Sequence, residues 1–198
     1  MLPVESRPLA ALAGGVMRQR HEGQAGPPLR LTGLPPVVSP QTVVLVLGSF
    51  PGAASLRLQQ YYGHPQNQFW RILSAVWPQH PLPQEPGAYA ARCEWLLARR
   101  LGVWDVYAQC EREGSLDSAI RAAQLNDFPA LLQRCPRLSG IAHNGGESFR
   151  HAQALEKSLA QAGWAGQVSV HRLPSTSPAN ASWTFDQKLT AWQAVLNS

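Results

Sequence analysis

The segment that most limits what this chain can fold into is TVVLVLGSFPG at 42–52. An unbroken β-branched and aliphatic run that stops at Gly, Ser and Pro predicts a strand buried on both faces, as in a parallel sheet, feeding a loop at its carboxyl end. Three further strands are predicted in GVWDVY (102–107), LSGIAHNGG (138–146) and QVSVHRL (167–173). Helical spacing marks QFWRILSAVW (68–77), closed by Pro78, and AYAARCEWLLARRL (88–101), ended by Gly102. A polar turn, CEREGS, precedes a helical SLDSAIRAA (115–123), and Asp127 caps DFPALLQRC (127–135). ESFRHAQALEKSLAQAG (147–163) is read as one helix, and Thr184 opens the last with a T-x-x-Q capping box. Strands alternating with helices predict an α/β fold with a parallel sheet covered on both faces.

Length argues for one domain. Residues 1–40 are rich in Pro, Gly and Arg without periodicity, so 1–29 is read as an N-terminal arm, expected to be disordered, and 30–198 as the domain. The net charge is +5, and of 17 cations only Lys157 and Lys188 are not Arg. Guanidinium forks match phosphate oxygens, so a polyanion is the favoured partner. No apolar run is long enough to span a bilayer. Cys93, Cys110 and Cys135 form no CxxC pair, and His64, His143, His151 and His171 are scattered without HExxH spacing, so neither metal nor disulfide framework is expected. MLPVESRPLA has no basic head followed by an apolar stretch, which makes a reducing cytoplasmic setting the expectation.

In parallel sheets the binding crevice lies beyond the carboxyl ends of the strands. Here those ends carry GSFPGAAS, DVYAQCEREGS, HNGG and LPSTSPANA. GSFPG is neither a P-loop nor a dinucleotide fingerprint, and no GxSxG elbow is present. The segment QQYYGHPQNQFW (59–70) crowds rings, a His and an Asn into an irregular stretch. Phe69 and Trp70 are expected in the core, with Tyr62, His64 and Asn67 on the loop side. Asn144 is either a helix cap or, with the neighbouring backbone NH groups, a contact for an anion or base edge. Asp105 is either a buried hydrogen-bond acceptor or a base contact. The hydroxyls of Ser175, Thr176 and Ser177 are placed to hold phosphate oxygens.

In this order and spacing, RLTGLPPV, LVLGSFPGAASL, YYGHPQNQFW, GVWDV, REGSLDSAI, HNGG and LPSTSPANA resemble the uracil-DNA glycosylase superfamily, and most closely its hypoxanthine-DNA glycosylase (DNA-deoxyinosine glycosylase) branch. The resemblance spans roughly residues 30–198. It implies a three-layer αβα sandwich around a four-stranded parallel sheet. It also implies a monofunctional enzyme, without cofactor or metal, that hydrolyses the bond from a deaminated base to deoxyribose in DNA and leaves an abasic site. Phe50 stands where another branch has an Asn that positions water, and the catalytic burden falls on Asn67. Tyr62 falls where a ring stacks on the extruded base. The implied base pocket comprises Gly48, Ser49, Phe50, Pro51, Gly52, Tyr62, His64, Asp105 and Asn144. The strand is clamped by Ser175, Thr176, Ser177, Ala179 and Asn180, with Ala179 and Asn180 where some branches present a Leu wedge.

The expected partner is DNA containing deaminated bases, bound by a monomer, with no membrane role. Uracil, xanthine or mismatched thymine are alternative bases. A non-catalytic relative that binds damaged DNA, suggested by the missing first-loop carboxylate, and a hydrolase of free nucleosides are alternatives of other classes.

Overall fold

The computed structural model describes residues 30–197, so the arm at 1–29 lies outside the described residues. In chain order the strands are β1 (Arg30–Thr32), β2 (Val44–Gly48), β3 (Leu101–Asp105), β4 (Tyr107–Glu111), β5 (Arg121–Leu125), β6 (Gly140–Asn144) and β7 (Ser169–Leu173). The helices are α1 (Ala53–Leu58), α2 (Phe69–Val76), α3 (Tyr89–Ala98), α4 (Phe128–Arg134), α5 (Gly146–Phe149), α6 (Ala152–Gln161) and α7 (Phe185–Leu196).

Strands β3-β2-β6-β7 form a four-stranded parallel sheet, the centre of an αβα sandwich. The β2 run is buried almost throughout, as are β3 and β6, which is why these segments read as continuous apolar runs. Register aligns Gly48 with Asp105, Leu47 with His143, and Asn144 with Leu173, so the chemically distinctive residues emerge along one edge. Strand order reverses at β2, and the crevice of such a sheet opens at that switch point. Helix α2 packs on α7 and α4 on α6, with Phe69, Ile72, Leu73 and Trp192 fully buried.

A second sheet was not expected. Antiparallel β1-β4-β5 is built from the start of the domain, where no strand is predicted, and from residues read as polar turn and helix. The GVWDVY run splits at Val106, whose N–H donates to Gly48 O while its carbonyl accepts from Asn126 N, turning the chain out of the main sheet. RAAQL (121–125) is strand and not helix, and all five residues are exposed. Backbone pairing holds it there, and without a buried face no hydrophobic period could announce it.

Two helices end earlier than their patterns suggest. Helix α3 stops at Ala98 because Arg100 adopts a left-handed backbone, φ 56°, which leaves Gly102 inside β3. The 147–163 helix is broken at Arg150–His151 into α5 and α6. The capping box at Thr184 is present as predicted, with the Thr184 hydroxyl accepting from Gln187 N and the Gln187 side chain accepting from Thr184 N. No helix among the described residues is long and apolar enough to cross a membrane.

Candidate active site

The four strand-end loops converge with the YYGHPQNQFW segment on one open cavity of about 830 Å³. That is ample for a purine nucleoside by the scale of ligand pockets. Every expected pocket residue lines it: Gly48, Ser49, Phe50, Pro51, Gly52, Tyr62, His64, Asp105 and Asn144. So do Asn67, Ser175, Thr176, Ser177, Ala179 and Asn180.

The floor is made by Gly48 and Asp105. A Cβ at position 48 would lie 2.3 Å from Asp105 Oδ1, so only glycine leaves room for the carboxyl to reach across the strand. Asp105 is buried, and its Oδ2 has no hydrogen-bond partner. Burial, with Asp117 nearby, pushes its pKa up to about 8, opposed by the Arg112 guanidinium. It is therefore mostly protonated at neutral pH and able to donate.

The Tyr62 hydroxyl is likewise buried and makes no close hydrogen bond; burial followed by the Asp105 charge raises its pKa, against a lowering by the Asn144 amide nearby. Tyr62 holds a left-handed backbone, φ 54°, a conformation that costs an L-residue on the order of 1 kcal/mol. It is held there from both sides: Tyr61 N donates to Tyr89 Oη and Gly63 N to Ser55 Oγ. One face of the Tyr62 ring stacks on Phe69, centroids 3.8 Å apart, which leaves only the other for a base.

Asn67 lines the cavity, but its Oδ1 accepts from Phe69 N, the first N–H of α2, at 3.0 Å. One lone pair of the oxygen on which the catalytic burden was expected to fall is thus committed to the backbone, and one remains. His64 is exposed on the same wall, its Nδ1 accepting from Gln66 N.

The first loop is pinned from behind. Arg112 donates to Pro51 O and lies over the Phe50 ring at 5.0 Å. Ser49 Oγ donates to Asp117 Oδ1 at 2.6 Å. Asp117, which the sequence reading passed over, thus brings a second carboxyl to the cavity. Its segment reads as helix in the sequence, and the structure has only a single 3-10 turn there, Asp117–Ala119.

The last loop differs from expectation at Thr176. Thr176 is fully buried: its N–H donates to Asn144 Oδ1, its hydroxyl accepts from Asn144 Nδ2, and its carbonyl accepts from Gln68 N. It holds the loop and presents nothing to a phosphate. Asn144 is for the same reason a clasp, with one bond made at each end of its amide while it lines the cavity. Gly145 N bonds to His143 O and Leu173 O, so it too offers no free donor to an anion. Gly145 sits at φ 111° with a Cβ position only 3.0 Å from Ser175 Cβ, which lets the two loops touch. Ser175 and Ser177 remain partly exposed, and Ala179 is exposed.

Lys188 was also missed. It is buried on α7, one turn before Trp192, and Nζ donates to Gln68 Oε1 and Asn180 O, tying the aromatic segment to the last loop. A lysine sharing a helical face with a buried Trp was the legible signal.

Among the described residues no group of three His, Cys, Asp or Glu side chains could hold a metal ion. Residues 35–196 match the family model described as the uracil DNA glycosylase superfamily. A protein named hypoxanthine DNA glycosylase from Methanosarcina acetivorans is 37% identical over 165 residues, covering 82% of this chain and 96% of that protein. One of the same name from Methanosarcina barkeri is 38% identical over 127 residues, covering 64% and 78%. The solution NMR structure of a candidate uracil DNA glycosylase from Methanosarcina acetivorans superposes with a TM-score of 0.69 at 33% identity, covering 85% of this chain and 97% of that one. With a family match across nearly all the described residues and a relative 37% identical over 82% of the chain, the chain belongs to the uracil DNA glycosylase superfamily.

Proposed function

We propose that this protein swings deoxyinosine out of DNA and hydrolyses its glycosidic bond, releasing hypoxanthine and leaving an abasic site. The observation that carries the reading is the cavity floor, where a buried carboxyl oxygen and a buried phenol hydroxyl make no close hydrogen bond within the protein, inside a space wide enough for a purine. Buried polar groups are almost always paired, so two without a close bond in a cleft mark where a ligand's polar edge belongs. The names of the relatives support hypoxanthine as that ligand.

A base inside a duplex is out of reach, and extruding it costs least at a damaged or mismatched pair. In the cavity the free face of Tyr62 receives the base. Protonated Asp105 donates to an acceptor on the purine, such as O6 or N7, and so stabilises the electron pair that the departing base takes with it. Cleavage leaves positive character on the sugar, which the carboxyl of Asp117 at the rim favours. The amide of Asn67 orients the attacking water against the anomeric carbon. The first loop lacks an acidic side chain, yet the same cavity receives two carboxyl groups, Asp105 from the end of β3 and Asp117 from the β4–β5 connection, which weakens the reading of a non-catalytic binder.

Duplexes carrying inosine, uracil, xanthine or a mismatched thymine, each followed by alkaline strand cleavage, test the proposal. Abasic product is expected first and fastest from inosine. Binding of the inosine duplex with no abasic product at high enzyme would leave a damaged-DNA binder instead. Asn67→Ala should lower single-turnover cleavage by about 100-fold while inosine DNA still binds. A variant with a lowered Tm and unchanged cleavage would confine Asn67 to its bond with Phe69 N.

A further inference from the structure

Extruding a nucleotide leaves a gap in the base stack, and proteins that open such gaps fill them with an apolar side chain. Ala179 and Asn180 offer no such group: Ala179 carries a single methyl, and Asn180 is bound to Ser175 O, Ser182 Oγ and Lys188 Nζ. The large apolar side chains that stand out into solvent among the described residues are Leu58, Leu116, Leu125 and Trp183. Leu116 and Trp183 are at the cavity mouth.

Leu116 is the most exposed of them, at 60%, and its loop is held on either side of it. Ser115 Oγ accepts from Ala53 N at 2.9 Å, and Asp117 Oδ1 accepts from Ser49 Oγ at 2.6 Å. Both anchors belong to the stretch that forms the pocket wall. An aliphatic side chain kept in water by a loop tied down at its two neighbours is displayed, because a mobile loop would let it collapse onto the surface. Trp183 is less exposed, at 44%, and its ring has a polar N–H that tolerates water.

Resting on the glycosylase reading above, we infer that Leu116 enters the base stack and occupies the place of the extruded nucleotide, acting as the wedge from the β4–β5 connection. It touches DNA and not the reacting bond.

The test compares two substrates of one sequence under single-turnover conditions. In one, deoxyinosine is fully paired; in the other it lies in an unpaired loop flanked by duplex, where no stack needs filling. Leu116→Ala is expected to lower the ratio of paired to unpaired cleavage by about tenfold, and Leu116→Phe to restore most of it. Leu125→Ala, at another exposed leucine, one that does not line the cavity, should move neither rate. An unchanged ratio, an equal fall in both rates, or a ratio that responds to Trp183→Ala and not to Leu116→Ala would overturn the assignment. Failure of the wild-type chain to release base from either substrate would sink the glycosylase reading instead, and is read directly in the same assay.

Discussion

The clasp on the last loop and the floor of the cavity are made from similar polar side chains, only a few residues apart along the sheet edge, and they differ in whether those groups are satisfied. In the clasp, Asn144, Thr176, Gln68, Asn180 and Lys188 answer one another's donors and acceptors. At the floor, neither Asp105 Oδ2 nor Tyr62 Oη makes a close hydrogen bond within the protein. A closed polar network rigidifies a structure, whereas an open one is a standing cost that a bound ligand can relieve. The contrast assigns stability to one region and chemistry to the other.

The sharpest way to break that division is Asp105→Asn. It keeps the shape and removes the acid, so cleavage should fall by about 100-fold or more while the Tm holds, since one buried polar group is exchanged for another of the same size. The wild-type rate should also decline as pH rises through about 8, where Asp105 loses its proton, and the variant should lose that limb. Retained activity with a lowered Tm would place Asp105 among the structural groups.

Asn144→Ala probes the opposite region. It orphans the buried N–H and hydroxyl of Thr176, for an expected loss of about 2 kcal/mol in denaturant unfolding. A neutral result would show that the clasp is dispensable.

A third effect separates stability from chemistry by pH. His143 is fully buried, its Nδ1 bonded to Ser148 Oγ, which itself donates to Leu47 O, and burial lowers its pKa to about 4. The unfolded chain takes up a proton near pH 6.5 that the folded chain resists, so stability should fall as pH drops from about 6.5 to 4 and level off below. His143→Gln should flatten that slope in thermal melts at low ionic strength.

The smallest effect is expected for Lys188→Met. Removing a desolvated ammonium offsets the loss of its two bonds, so the Tm should move little, within about 1 kcal/mol of stability. Cleavage should slow a few-fold as the aromatic segment and the last loop come apart. A large fall in stability would mean that the lysine carries more of the clasp than Asn144 does.

The main sheet and most helices were legible because burial leaves a period in the sequence: TVVLVLG, GVWD and IAHN are apolar where both faces are covered. The cap at Thr184 was legible because its partners are three residues apart. The antiparallel sheet was not, since the exposed RAAQL has helix-forming composition and is strand only through backbone bonds to β4. At the site, residue identities were readable and their duties were not. Thr176 and Asn144 look like ligand contacts in isolation, and they turn inward because each is the other's partner across 32 residues. Lys188 and Gln68, 120 residues apart, escaped for the same reason.

The sequence by itself determined the parallel sheet, its covering helices and the loops that meet at its edge, because local periodicity and turn chemistry act over a few residues. Which polar groups would be spent on each other and which left open to a ligand was decided only by the tertiary structure, since pairing and desolvation depend on what the fold brings from far along the chain.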